Sequence, residues 1–146
     1  LPRYMAACLL AGYVWLLVAV GIWLIAGEVT GGPLYDATVH SIFLGFVLSM
    51  IMAHAPLILP AVLRKPLPYR PFLYLPVVLL HLSLVIRVLG GDAWGSVDAL
   101  RFGGALNVVS VLLFAALAVT SAVLGQPAGN KAQRERAAAR PKKVES

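Results

Sequence analysis

Four apolar blocks, divided by short polar connections, decide what this chain can fold into. They run from about Tyr4 to Ala26, Ala37 to Leu63, Pro71 to Leu89 and Ala99 to Leu124. Roughly 20 apolar residues cross the hydrocarbon core of a bilayer, and each block reaches or approaches that length. Lipid offers no partner to a free backbone amide or carbonyl, so every such block must be helical. Composition agrees. Charged residues are 12% of the chain and apolar residues 60%, against about 25% charged in soluble domains. The fold class expected is all-α: a polytopic membrane four-helix bundle with kinked helices and a basic cytoplasmic tail. The domains expected are a four-span transmembrane unit over 1–126 and a basic, disordered tail over 127–146.

Basic residues set the orientation, because Lys and Arg gather at the cytoplasmic ends of spans. Arg3 precedes the first span, Arg64, Lys65 and Arg70 fill the second connection, and six Lys and Arg between Lys131 and Lys143 crowd the tail. The other two connections hold Glu28 and Asp36, then Asp92 and Asp98. Both termini are therefore expected in the cytoplasm, with the chain in a bacterial inner membrane. The net charge of +6 is a topology signal; no aromatic interleaving or motif points to nucleic acid. The expected partners are the lipid bilayer and other membrane subunits or further copies of the chain. The chain opens at Leu1 with no initiator methionine, as a processed chain or a part of a longer one would. A single cysteine, Cys8, makes no internal disulfide and reads as a packing residue.

Span four repeats Gly103, Asn107, Ser110, Phe114, Leu117 and Ser121 at steps of four and three, so these positions share one helical face. Small and polar residues drive helix association in lipid, and this face is expected to point into the bundle. Asn107 should bridge to a neighbouring helix. Asp98, or Ser96 before it, should cap the helix start. Pro56, Pro60 and Pro76 each delete a backbone hydrogen bond and are expected to kink spans two and three.

Three histidines carry the functional reading, since ionisable groups at membrane depth are costly and are functional candidates by default. Counting 1.5 Å per residue, His54 lies about 13 Å from the Leu63 end of span two, and His81 about 15 Å from the Pro71 end of span three. Antiparallel helices would bring the two imidazoles to a common depth, as a bis-histidine haem b requires. His40 lies about 21 Å from His54, on nearly the same α-helical face, with Asp36 one turn earlier to orient its ring. It is expected to serve a separate outer site, as a ligand to another metal, a single haem ligand or a proton site. Arg87 is a further cofactor-binding candidate that would meet a haem propionate, unless it snorkels or pairs with Asp92 or Asp98. Copper through Met50 with His54 also stays open.

His40, Gly45 and Met50, followed by Arg87, Val88 and Leu89, resemble a pattern of the NnrS family of polytopic membrane proteins. That family is associated with haem and copper and with the response to nitric oxide. The match covers spans two and three only, and the family has about twelve spans. The resemblance implies a haem-containing membrane protein with His40 as the residue carried over most directly. The function expected is thus an integral membrane b-type haem protein in electron transfer or in nitric oxide or oxygen handling. It would be a subunit or relative of a membrane oxidoreductase. The rival readings are a non-catalytic subunit of a respiratory or transport complex and a small proton-conducting or transport protein.

Overall fold

The structure, a computed structural model, describes residues 1–63 and 71–124, without the side chains at 63 and 122–124. Arg64, Lys65, Arg70 and the basic tail, on which the orientation rests, lie outside the described residues. Helix α1 spans Pro2–Ala26 and stops at Gly27, whose φ of 71° only glycine adopts without strain. Span two is one rod built in three pieces: α2 (Gly32–His40), a π-helical stretch (Ser41–Val47) and α3 (Leu48–Leu63). Span three opens with a 3₁₀ turn (Pro71–Leu73), continues as α4 (Tyr74–Val85) and ends in a second π-helical stretch (Ile86–Ala93). Helix α5 covers Val97–Leu124. Among the described residues there is no strand, and four helices are long and apolar enough to cross a membrane.

Two spans run longer than the sequence pattern implies. Span two begins at Gly32, so Asp36 is helical rather than part of a connection. Span three persists to Ala93, which puts Asp92 on the helix as well. The turn that follows is short. Trp94 N–H donates to the Leu89 carbonyl and Ser96 N–H to the Gly90 carbonyl, with Gly95 at φ 70° between them. Ser96, not Asp98, caps α5: its hydroxyl accepts from the Ala99 amide at 3.3 Å.

Close approach of small residues holds the spans together, as expected where lipid removes the hydrophobic drive between helices. A Cβ on Gly45 would fall onto Trp15 of α1, and one on Gly103 would lie 2.8 Å from the Arg87 Cβ. The face expected on α5 is the buried one. Gly103, Asn107, Ser110, Phe114 and Ser121 are all buried, and Leu117 packs against the core. Ser110 donates to the Pro76 carbonyl at 2.6 Å, tying α5 to α4.

Helix α3 runs through Pro56 and Pro60, and one of the two debts is met from another helix. A proline at 56 supplies no N–H to the carbonyl of residue 52; the Tyr4 hydroxyl donates to the Met52 carbonyl at 3.2 Å. Tyr4, Met52 and Tyr74 thereby join the first three spans at the end of the bundle that holds Leu1. The outward faces stay apolar: Leu17, Leu24, Ile51, Leu82, Val109 and Leu112 are all more than half exposed. So much exposed apolar surface on every span marks a lipid-facing protein.

Candidate functional site

The polar side chains of interest gather at the other end, where α1 meets α2 and span three turns into α5. The second π-helical stretch packs on both α2 and α5, which carries Arg87 between them. Its Nη2 donates to Asp36 Oδ2 at 2.7 Å, and its Nη1 to the Leu100 carbonyl at 3.2 Å. The acidic partner is therefore Asp36 of span two, not Asp92 or Asp98. The extension of both helices past their expected ends makes the pairing reachable. Gly103 and Gly104 leave room for it, since a Cβ at 104 would stand 3.0 Å from Arg87 Nη1.

His40 sits beside this ion pair and is oriented by Asp36, as the one-turn spacing implies. Its Nδ1 lies 2.8 Å from the Asp36 carbonyl and 3.3 Å from Asp36 Oδ1. A carbonyl only accepts, so Nδ1 carries the proton and Nε2 of the neutral ring carries the lone pair. Asp92 completes the cluster, within electrostatic reach of Asp36, Arg87 and His40.

A groove of about 400 Å³ opens beside the cluster. His40 and Leu44 line it from span two, Arg87 from span three, and Gly104, Asn107 and Val111 from α5. Its rim is made by Val108 and Leu112, both about 60% exposed to the lipid side. Asn107 is 4% exposed. Its Oδ1 meets the Ser83 hydroxyl of α4, so it does bridge two spans. Its Nδ2 is buried with no hydrogen-bond partner among the described residues, and the same holds for Arg87 Nε.

His54 and His81 are placed differently from the expectation of a shared depth. The Trp15 indole donates to His81 Nδ1 at 3.0 Å, and Ser49 Oγ lies 3.4 Å from its Nε2. Ser49 precedes His54 by five residues, about 7.5 Å of helical rise. Span three thus holds His81 a turn and a half away from His54 along span two, and both ring nitrogens are engaged by spans one and two. His54 Nδ1 donates to the Met50 carbonyl at 2.8 Å, in the same manner as His40. Neither His54 nor His81 lines the groove. His40 and Arg87 are brought together; His54 and His81 are not. Among the described residues, no three His, Cys, Asp or Glu side chains are grouped to hold a metal ion.

Sequence reasoning missed Trp15 and the Asp36–Arg87 pair. An indole N–H within a lipid-crossing helix needs an acceptor, so Trp15 signalled that some polar group on another span must meet it. No comparable signal selects Asp36 for Arg87, since three aspartates stand near that end in sequence.

The chain belongs to a family described as Domain of unknown function (DUF8744), whose model matches residues 1–123 and so takes in all four spans. No curated protein and no solved structure matches the chain.

Proposed function

We propose that the chain is an integral membrane b-type haem protein serving electron transfer or the handling of nitric oxide or oxygen. The observation that carries this reading is the state of the two span-two imidazoles. Each donates Nδ1–H to the carbonyl four residues earlier, at 2.8 Å, which presents Nε2 as the ligating nitrogen. A hydrogen bond from the far ring nitrogen to a carbonyl fixes ring and tautomer in metal-ligating histidines. His54, half-buried in an apolar span, is the haem ligand on this reading, and His40 serves the separate site beside Arg87. His81 is the weaker candidate, because it would have to release Ser49 to reach iron. Copper could use the same His54 nitrogen with Met50. Bound haem supplies one-electron transfer or capture of a diatomic gas. The chain's own part is to hold an imidazole oriented by its Nδ1 hydrogen bond, and to exclude water with the aliphatic walls of the spans.

The finer topology belongs to the same proposal. Both termini face the cytoplasm across a bacterial inner membrane, on the strength of the basic residues at 3, 64, 65 and 70 and in the tail. Spans two and three bend at Pro56, Pro60 and Pro76, and other membrane subunits or copies of the chain cover part of the apolar surface. The engaged nitrogens of His81 favour one rival, a non-catalytic subunit whose histidines are hydrogen-bonded packing groups. The visible spectrum separates the two. Purified after expression with ample haem, the protein should show a Soret band that His54→Ala abolishes and His40→Ala leaves in place. No haem in the wild-type preparation would overturn the haem reading and leave the non-catalytic subunit and the small proton-conducting or transport protein.

A further inference from the structure

We infer that the groove between spans two, three and four is a binding site for the headgroup of a lipid-soluble quinone. This goes beyond the haem reading and does not depend on it. The groove's volume of about 400 Å³ falls within the usual range for small-molecule sites, about 300–1,000 Å³. Its exposed rim, Val108 and Leu112, faces the lipid, so a ligand would enter from the bilayer and not from water. Leu44 and Val111 supply aliphatic surface against which a flat ring packs.

The polar end decides the class of ligand. Arg87 Nε is a buried donor without a partner on a residue that lines the groove. An occupant that accepts a hydrogen bond there satisfies a group that burial otherwise leaves unpaired. The Asn107 amide has one end on Ser83 and the other buried without a partner, and His40 is a third polar group on the wall.

Charge excludes the anionic lipids that would otherwise be obvious candidates. Arg87 is already paired with Asp36 at 2.7 Å. A carboxylate or phosphate headgroup would find no unpaired cation there; a neutral carbonyl needs none. A compound that lives in the bilayer, has a flat ring and presents neutral carbonyl acceptors is a quinone. Its tail would leave past Val108 and Leu112.

The test is photolabelling of the full chain in lipid nanodiscs with an azido-ubiquinone analogue, with peptide mapping and competition by decylubiquinone. Label should fall on 104–112 and 40–44, saturate, and be displaced by competitor. Val108→Trp, a change at a lipid-exposed rim position, should close the groove and abolish it. Asn107→Ala should weaken binding about tenfold, the loss of one buried hydrogen bond. Label spread over all lipid-facing segments and indifferent to competitor would mean partitioning only, and would overturn the site. So would unchanged labelling in both variants, or displacement of the quinone by haem loading of the wild-type protein. The labelling is read on haem-free protein too, so failure of the haem reading leaves it intact, and the reverse.

Discussion

Replacing single glycines by alanine in the first two spans should produce a graded loss of stability set by what each new methyl meets. At Gly45 the added Cβ would lie far inside contact distance of both the Trp15 Cβ and Cγ. Those atoms sit next to the α1 backbone and cannot swing aside, so the helices must part. Overpacking of this kind costs about 1–3 kcal/mol, and the rigid neighbour places this case at the upper end. Parting the helices also strains the Trp15–His81 hydrogen bond of 3.0 Å, worth about 1 kcal/mol. Alanine returns up to about 1 kcal/mol through its better helix propensity, for a net loss of about 3 kcal/mol. At Gly12 the nearest atom is the Ser49 Cβ at 3.2 Å, and the terms should nearly cancel. At Gly21 nothing lies within 4 Å, and Gly21→Ala should stabilise by up to about 1 kcal/mol. Unfolding each variant with SDS in mixed micelles, followed by tryptophan fluorescence, gives the order directly. Equal midpoints for Gly45→Ala and Gly21→Ala would show that spans one and two do not meet at Gly45.

Three further outcomes are expected. Ser110→Leu should lower the temperature of aggregation in detergent, because Ser110 is fully buried and bonded to the Pro76 carbonyl, while Val108→Leu on the lipid side should be nearly silent; equal effects would mean the wrong face of α5 is buried. Asp36→Asn should destabilise by about 1 kcal/mol, since the Arg87 pair is partly screened, whereas Asp98→Asn at an exposed position should not, and the same thermal assay compares them. Impermeant thiol labelling of intact cells should reach a cysteine placed at Gly32 and miss one at Lys142; a labelled tail would reverse the proposed orientation.

The spans and the buried face of α5 were legible because length and a 3.6-residue period are written in residue type. The depths of the histidines were not. Matching His54 to His81 assumed that both spans start level and rise as plain α-helix. Span three instead opens with a 3₁₀ turn, and the two ends need not be level. The i→i+5 turns of span two bear on a different count: they use more residues per revolution, so the fourteen residues that aligned His40 with His54 do not carry across Ser41–Val47. Nothing in "SIFLGFV" or "IRVLGGDA" announces that change. The Asp36–Arg87 pair was hidden for a related reason: it depends on helix ends running past the point where hydropathy falls.

The two π-helical stretches set which side chains each rod turns toward the groove. Adding or removing one residue of α-helical winding turns everything beyond it by about 100°. His40 stands immediately before the first stretch and Arg87 is the second residue of the other. Both side chains face the groove because each rod widens where it does, and Arg87 is held there by Asp36 and the Leu100 carbonyl. The polar wall of the groove is keyed to the winding of these two rods, while the opposite end, pinned by Tyr4 and Met52, is not.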